Sequence, residues 1–375
     1  MLGLLDSFSL RMGARQVTLE VNSADQSPLQ EKICRRLVSG LLTRNANFSV
    51  PAKFHKLRLY VLGLLLAALT GNSSSAELIK IGALTVGWGP TPAMVGLRDG
   101  LNALGYKEGE QYVIGVRFTQ GDVKGLPDAV RDLLSSGSTI IFATGPNAAK
   151  AAKAATTTVP VVFAEAMPDP VQSGLVRSYA RPGGNLTGIW DLSHELGPKR
   201  LEILQDMVPG LKRVIFPYDP DDEVAVDSLR ILRDAAGRLG ITLIERPMRT
   251  EQEARKFFTS LRKRDADAVI LSASSMSLNI PGFMLEMTSQ QGLPTMFTGA
   301  FWVERGGLVG YGTDFQESGR LAARLVDKII KGEKPAVLAV ESNPRIELII
   351  NLKVAKALGL SLPPTLVQRA TRVIE

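Results

Sequence analysis

Short apolar runs alternate with amphipathic stretches from residue 78 to the C-terminus. The first series predicts helices over 93–106, 125–137 and 147–156, between strands over 78–84, 112–118, 139–144 and 159–166. Strand–helix alternation at this spacing is typical of right-handed βαβ units and a parallel sheet. In the helix over 93–106 the apolar period predicts that Val95, Leu97, Leu101 and Leu104 face inward.

The same order of elements restarts after a turn-rich stretch, GGNLTGIWDL, at 183–192. The second series predicts helices over 197–210, 222–240 and 250–266, and strands over 212–218, 241–247, 267–274 and 293–299. We therefore predict an α/β fold with two doubly wound, Rossmann-like lobes, each built on a parallel sheet. The segments that follow, 307–312, 315–332 and 347–360, are expected to cross back between the lobes.

Residues 53–76 have the layout of a secretory signal peptide. Lys53, Lys56 and Arg58 form a positive flank, an apolar run follows over 59–69, and small residues end at Ala76, after which we expect cleavage. The run is shorter than the roughly 20 residues that span a bilayer. The alternative, a buried core helix, would show polar positions on one face, and this run shows none.

About fifty residues precede this segment, and residues 1–52 show no sustained apolar period. One interpretation is a mis-assigned start, with translation beginning near Val50 and the upstream stretch absent or disordered. The other is a genuine cytoplasmic extension with an uncleaved anchor. N-terminal sequencing of the native precursor distinguishes them.

Charge and cysteine content narrow the function classes. The chain has a net charge of +7, but residues 1–76 hold nine Lys/Arg and four Asp/Glu, so residues 77–375 carry only about +2. No basic run with interleaved aromatics follows residue 76, and we expect no nucleic-acid partner. The single cysteine, Cys34, precedes the predicted cleavage site, and His194 is the only histidine after it. The part after residue 76 therefore has no thiolate nucleophile, no disulfide framework and no multi-histidine metal site.

Sequence motifs of common enzymes are also missing. The chain has no G-x-x-x-x-G-K-[ST] phosphate loop, no G-x-G-x-x-G after the first strand and no G-x-S-x-G elbow. We expect neither a catalytic set nor a cofactor.

Candidate ligand-binding residues follow the predicted strands, because ligands bind beyond the carboxyl ends of strands in open parallel sheets. They are Gly87, Trp88, Thr144, Gly145, Pro146, Asn147, Asp169, Trp190, Asp191, Tyr218, Ser272, Ser274 and Ser275. Each also has a purely structural interpretation: 144–147 as a turn and helix cap, Asp169 as a turn initiator, and the serines as caps.

The residue types suggest one ligand chemistry. Trp88, on a loop rich in Gly and Pro, could stack on an aromatic ligand. The helix start after Thr144 could hold a carboxylate, and Asp191 could accept an ammonium group. The hypothesis is an aromatic amino acid or a related aromatic acid.

Several long stretches resemble the type I periplasmic substrate-binding proteins of ABC transporters, in the group that includes tryptophan and phenylalanine binders. They include GLRDGLNALGYKEGEQYVIGVRF at 96–118, VPVVFAEAMPDPVQSGLVRSYARPGGNLTGI at 159–189 and ELIINLKVAKALGL at 347–360. The resemblance runs over essentially all of residues 79–375. The loops GWGPTPA and LSASS do not match an amino-acid-binding signature, so the ligand class stays open.

The resemblance implies a monomeric periplasmic protein whose lobes are joined by three crossover segments and close like a hinge over ligand. The first lobe would span 77–188, completed by about 303–335, and the second 189–302, completed by about 336–375. The closed form would dock on an inner-membrane permease that works with an ATPase. Two alternatives remain at this point: a sensor module feeding a chemoreceptor or kinase, and an enzyme on a flavodoxin-like scaffold.

Overall fold

A computed structural model describes residues 7–12, 15–20, 78–87, 89–165, 169–193, 195–272 and 281–375. The segments Met1–Ser74 and Ser75–Glu375 form separate compact units. In the first unit, strands β1 (Ser7–Met12) and β2 (Arg15–Glu20) pair in an antiparallel hairpin. The hairpin lies within residues 1–52, where the sequence shows no sustained apolar period. The predicted signal peptide, residues 53–76, lies outside the described residues.

The first lobe contains a parallel sheet of six strands in the order β13-β7-β6-β5-β3-β4. These strands are β3 (Ile79–Thr85), β4 (Tyr112–Phe118), β5 (Ile140–Thr144), β6 (Val161–Ala164), β7 (Leu186–Trp190) and β13 (Glu341–Ser342). Every residue of β5 and β6 is buried. Burial of both faces of a strand is what a parallel sheet covered by helices on both sides requires.

Helices cover both faces of this sheet: α1 (Pro92–Ala103), α2 (Leu126–Ser135), α3 (Pro146–Ala155) and, from later in the chain, α9 (Phe315–Ile330). Helices α1 and α9 pack on the face that presents Ile81, Phe142 and Val162. Helices α2 and α3 pack on the face that presents Leu84 and Ile141. The alternation of buried residues along each strand therefore supplies two cores, one on each side of the sheet.

Helices α1 and α9 approach each other through glycine. A Cβ added to Gly96 would lie 1.8 Å from the Gln316 carbonyl oxygen, and one added to Gly319 would lie 2.0 Å from the Ala93 carbonyl oxygen. This contact corrects the predicted inward face of α1, because Val95 and Leu104 are 39% and 45% exposed. The buried face of α1 includes its glycines, which an apolar-period rule does not count as core.

The second lobe contains a sheet of seven strands in the order β15-β14-β12-β11-β10-β8-β9. The strands are β8 (Arg213–Tyr218), β9 (Thr242–Pro247), β10 (Ala268–Ile270), β11 (Thr295–Phe297), β12 (Val309–Thr313), β14 (Ile346–Asn351) and β15 (Arg372–Ile374). All neighbours are parallel except β12 and β14, which are antiparallel.

The helices of this lobe are α4 (Gly197–Met207), α5 (Glu223–Leu239), α6 (Glu251–Ser260), α7 (Pro281–Gln290), α8 (Ala300–Val303), α10 (Leu352–Ala357) and α11 (Pro364–Arg369). Two cores again lie on opposite faces of the sheet. One contains Phe216 and Met296 with the apolar face of α4, and the other contains Ile215 and Phe297 with Phe258 of α6.

The chain passes between the two sheets three times: after β7, between β12 and α9, and between β13 and β14. The lobe boundaries therefore differ in detail from those predicted. Strand β7 ends the first lobe's contribution at residue 190 rather than 188, and β12 lies in the second sheet although 303–335 was expected to complete the first lobe. Each strand joins a sheet through its apolar run. A lobe boundary placed at a turn-rich stretch therefore does not show which sheet the neighbouring strand joins.

Candidate functional site

Two adjoining cavities lie at the carboxyl ends of the two sheets. The smaller, of about 60 Å³, is lined from the first lobe by Thr85, Thr144 and Glu165, and from the second lobe by Ser272, Phe297 and Trp302, among others. The larger, of about 890 Å³, shares Thr91, Glu165, Thr298, Trp302 and Phe315 with it. Its volume is within the range of small-molecule sites, and both lobes contribute walls to both cavities.

The turn from β5 into α3 supplies backbone donors to the smaller cavity. Gly145, with a φ of +86°, precedes α3, which has Pro146 in its first turn and no side-chain cap. The N–H groups of Asn147 and Ala148 fall in that first turn, where an α-helix provides no internal acceptor. The Thr144 hydroxyl donates to the Leu84 carbonyl at 3.3 Å, so the backbone rather than this hydroxyl is available to a ligand.

Ser272 faces the same cavity from the second lobe. It follows β10, is 3% exposed, and its hydroxyl has no hydrogen-bond partner among the described residues. An unsatisfied buried hydroxyl is unfavourable, which is why such groups occur where a ligand or water completes them.

Glu165 follows β6 and lines both cavities. It is 5% exposed and has a φ of +69°, the left-handed region that few residues other than glycine adopt. Burial raises the pKa of its carboxyl to about 7, and repulsion from Asp191 acts in the same direction. Hydrogen bonds from the Thr91 hydroxyl and the Ala93 N–H oppose this rise in pKa. Within the part of the chain that the structure describes, Oε2 has no hydrogen-bond partner.

Aromatic side chains form the apolar wall of the site. Phe297, Trp302 and Phe315 line the smaller cavity, and Phe301 lines the larger. Trp302 contacts Phe301 edge to face, with ring centroids 4.7 Å apart, and lies 6.3 Å from the Phe297 ring. Three of these rings, Phe297, Phe301 and Trp302, lie in the stretch 297–302, which the sequence indicates as a strand-end loop, although none of its residues is among the predicted site residues.

The structure brings six of the predicted site residues to the cavities. Gly87 lines the larger cavity, and Thr144, Gly145, Pro146, Asn147 and Ser272 line the smaller. Trp88, Ser274 and Ser275 lie outside the described residues. Ligand binding by these nine residues remains a prediction.

The other four predicted residues, Asp169, Trp190, Asp191 and Tyr218, line neither cavity. Asp169 accepts the N–H groups of Val171 and Gln172 at 2.8 and 3.1 Å. Burial acts to raise the pKa of its carboxyl, but hydrogen bonds from Gln172, Tyr179 and Val171 outweigh it and lower the pKa.

Trp190 packs against Tyr179, with centroids 5.5 Å apart, and Tyr218 stacks on Phe216 at 5.9 Å. Asp191 is 3% exposed and accepts the Ser193 N–H at 2.9 Å. These contacts give each side chain a structural role at the first crossing or in the second core.

A buried polar cluster joins the first crossing to β12. The Ser193 hydroxyl bonds the Thr313 hydroxyl at 3.1 Å, and Nε of Arg200 donates to the Tyr311 carbonyl at 2.7 Å. Burial lowers the pKa of Arg200 to about 10, while the Asp191 charge and then Tyr311 favour its charged form. The guanidinium is thus held where the chain passes between lobes.

The missed residue with the clearest sequence signal is Glu165. The buried strand pattern VPVVFA runs directly into it, and the first polar residue after such a strand is a site position by the strand-end rule. The predicted strand over 159–166 includes Glu165, and in the stretch 165–171 that follows the buried run only Asp169 is among the predicted site residues.

Two kinds of feature are absent from the described residues. No helix among them is long and apolar enough to cross a membrane. No group of three or more His, Cys, Asp or Glu side chains in this part of the chain could hold a metal ion.

A family model and a known protein both show similarity to this chain. A sequence model of the family described as ABC transporter substrate binding protein matches residues 89–374, which span both lobes. A tyrosine-binding protein of Clostridioides difficile is 26% identical over 272 residues, covering 72% of this chain and 76% of the relative.

Solved structures extend the similarity to the fold. A conserved domain protein from Vibrio cholerae is 26% identical, with a TM-score of 0.70 over 79% of this chain and 100% of its own. The ABC domain in complex with L-Trp from Streptococcus pneumoniae is 23% identical, with a TM-score of 0.69 over 80% of this chain and 100% of its own.

Proposed function

Because this chain belongs to the family of ABC transporter substrate-binding proteins, we propose that it captures an aromatic amino acid between its lobes and delivers it to an ABC importer. The lobes close about the three crossings as a hinge, which is the usual motion of a two-lobed binder. The protein acts by binding and release, without catalysis.

One observation carries this proposal: unsatisfied polar groups from both lobes meet in one cavity that also has an aromatic wall. The first turn of α3 offers N–H groups from the first lobe, and the Ser272 hydroxyl lies opposite in the second. A carboxylate placed between them accepts both sets of donors and benefits from the positive end of the helix dipole. Closure is then favoured only when ligand is present.

The aromatic wall accounts for the side chain of the ligand. Phe297, Trp302 and Phe315 line the smaller cavity with the carboxylate-binding groups. Aromatic pairs prefer offset or edge-to-face contacts worth about 0.5–1.5 kcal/mol beyond the burial of area. The C. difficile relative is named for tyrosine, and the S. pneumoniae structure holds L-Trp, which supports the same class here.

Location and partners follow from the same role. We propose export to the periplasm through residues 53–76, with cleavage after Ala76, and delivery by the monomer to an inner-membrane permease driven by an ATPase. N-terminal sequencing of the exported protein tests the cleavage site.

A thermal shift experiment tests the binding function. Residues 77–375 lie within one compact unit, so this part is unfolded, refolded to remove bound ligand and titrated with L-tryptophan, L-tyrosine and L-phenylalanine. Ligand at 100 times its dissociation constant stabilises the folded state by about 2.7 kcal/mol, so we expect a saturable rise in Tm.

L-leucine and L-glutamate serve as controls and are expected to shift the Tm much less. A cooperative melt that no aromatic amino acid shifts contradicts the proposed ligand class.

A further inference from the structure

Glu165 has an incomplete hydrogen-bond shell at the cavity. Its carboxyl accepts hydrogen bonds from the Thr91 hydroxyl and the Ala93 N–H. The residue is 5% exposed, yet no described residue bonds to Oε2. No ion pair of Glu165 occurs among the described residues. A buried carboxylate without a cation is costly, so this oxygen is suited to a donor that is supplied from the cavity.

The backbone holds Glu165 in an unusual conformation. A φ of +69° at a residue other than glycine costs on the order of 1 kcal/mol or more. The Gly145 N–H donates to the Ala164 carbonyl at 2.9 Å, which fixes the strand end beside the start of α3. The strained residue therefore occupies a defined position between the proposed carboxylate-binding turn and the second lobe.

The other buried carboxylates near the site already serve the fold. Asp222 lines the smaller cavity, but its Oδ1 accepts the Val224 N–H at 2.9 Å and caps α5. Asp191 accepts the Ser193 N–H and lines neither cavity. Its charge also acts against the lowering of the Arg200 pKa by burial. Among these three, Glu165 alone combines a place in both cavities with an unpartnered oxygen.

We infer that Glu165 binds the ammonium group of the ligand, so that the site selects α-amino acids over the corresponding deaminated acids. This inference rests on the proposed function and transfers to Glu165 the role that the sequence suggests for Asp191. An ammonium donor to Oε2 completes the carboxylate shell as a charge-assisted hydrogen bond. The carboxylate end of the ligand then lies toward α3 and Ser272.

Proton release should accompany binding. In the free site, burial raises the pKa of Glu165 to about 7, so the carboxyl is largely protonated at about pH 6 and ionised above about pH 8. A ligand ammonium favours the carboxylate, and the displaced proton goes to solvent. Affinity for an amino acid should therefore rise with pH until Glu165 is ionised in the free protein.

The charged side chains around the cavities do not provide Glu165 with a cation in place of the ligand ammonium. Asp191, at the end of the neighbouring strand, and Asp222, across the smaller cavity, are both acidic. Each of the four arginines lining the larger cavity pairs with a carboxylate: Arg255 with Glu251, Arg372 with Glu304, Arg345 with Asp314 and Glu347, and Arg320 with Glu317 and Asp99. The surroundings of Glu165 are thus neutral or acidic, which favours a cationic ligand group.

The test compares L-tryptophan with 3-(indol-3-yl)propionate, which lacks only the ammonium group, by calorimetry on ligand-free residues 77–375. We expect wild type to bind L-tryptophan at least about tenfold more tightly, equivalent to about 1.4 kcal/mol or more. In Glu165→Gln this preference should fall to within about threefold through weaker binding of L-tryptophan. Glu202→Gln, which removes an exposed carboxylate that lines neither cavity, should retain the wild-type preference.

A second measurement uses wild type alone, so it does not depend on folding of a variant. Binding of L-tryptophan at about pH 6, measured in two buffers of different ionisation enthalpy, should release most of one proton, and at about pH 8.5 almost none. The deaminated acid should release none at either pH.

The possible results separate the two proposals. Equal affinity of wild type for both compounds leaves the binding function intact but overturns the role of Glu165, as does a Glu165→Gln variant with undiminished preference. A wild type that binds neither compound, and neither L-tyrosine nor L-phenylalanine, overturns the proposed ligand class and this inference together.

Discussion

At the scale of single residues, Glu165 is the most unusual side chain of the described chain, because burial and a left-handed backbone conformation coincide there. Both features oppose folding of the ligand-free protein. Strain and unsatisfied charge concentrated at a binding site are typical of positions that are retained for function rather than stability.

The buried carboxyl makes stability depend on pH. In the folded chain burial raises its pKa from 4.5 to about 7, so the folded state holds this proton more tightly than the unfolded state does. The associated stability is fully present below about pH 4.5 and is lost as the pH rises through about 7. At about 1.4 kcal/mol per pH unit, the loss is on the order of 3 kcal/mol.

Glu165→Gln removes this ionisation while keeping an oxygen for Thr91 and Ala93. We therefore expect the ligand-free variant to melt at a higher temperature than wild type at about pH 8, with the difference shrinking towards about pH 5. Differential scanning calorimetry at both pH values measures it. A difference that is the same at both pH values contradicts a buried, titrating Glu165.

The residue scale is also where the sequence was least informative. The turn at 144–147 and Ser272 were found because they follow strands, and the structure places them at the cavities. Trp302 and Glu165 were not, because each requires knowing where a strand ends and which side of the cleft its loop faces. Such information depends on tertiary packing rather than on the local pattern.

At the scale of elements, the pairing of α1 with α9 joins two segments that lie more than 200 residues apart in the chain. Gly96, Gly100 and Gly319 permit the approach, since a Cβ at each would lie between 1.8 and 2.5 Å from an atom of the facing helix. The added atom would meet backbone at Gly96 and Gly319, which cannot move aside as the tip of a side chain can.

Gly319→Ala should therefore lower the free energy of unfolding by about 2–3 kcal/mol, because overpacking of a tight core typically costs about 1–3 kcal/mol. Gly237→Ala is the matched control, since Gly237 is also helical and has no atom within 4 Å of an added Cβ. Helix propensity alone predicts that this control is neutral or stabilising by about 0.5–1 kcal/mol. Urea denaturation of both variants distinguishes a packing effect from propensity, and equal midpoints would contradict the glycine contact.

Most elements could be predicted from the sequence, because their apolar runs are long and bounded by turns. The strands over 139–144 and 212–218, for example, are found at Ile140–Thr144 and Arg213–Tyr218. The inward face of α1 was wrong because glycine contacts carry no hydrophobic signal. The antiparallel pairing of β12 with β14 was not predicted. Both strands have the same kind of apolar pattern as their parallel neighbours, so the sequence does not show that β14 runs in the opposite direction.

At the scale of the whole molecule, the three crossings are joined by hydrogen bonds. Asn343 is central: its side-chain amide donates to the Asp314 carbonyl at 2.8 Å and to the Ser318 hydroxyl at 2.9 Å. Its backbone N–H donates to the Trp190 carbonyl at 2.9 Å. The third crossing is thereby tied to the first and the second, so the proposed hinge motion would involve all three together.

Asn343→Ala should destabilise the protein by about 2–4 kcal/mol, because each buried polar group left without a partner costs about 1–3 kcal/mol. The side chain is 3% exposed, so water does not replace the lost bonds. Asn102→Ala provides the control, since Asn102 is exposed and makes only a 3.4 Å bond with Tyr112. Chemical denaturation is the measurement, and a wild-type midpoint for Asn343→Ala would contradict the central role of this residue.

The order of the elements along the chain also determines when each lobe can be completed during synthesis. The first lobe needs α9 and β13, which end at residues 330 and 342, after nearly all of the second lobe has been made. The second lobe in turn needs β14 and β15, which lie within the last thirty residues. A growing chain that stops before residue 315 therefore lacks at least one element of each sheet. Such late completion favours a chain that remains incompletely folded until translation is almost finished, which is the state that the proposed export would require.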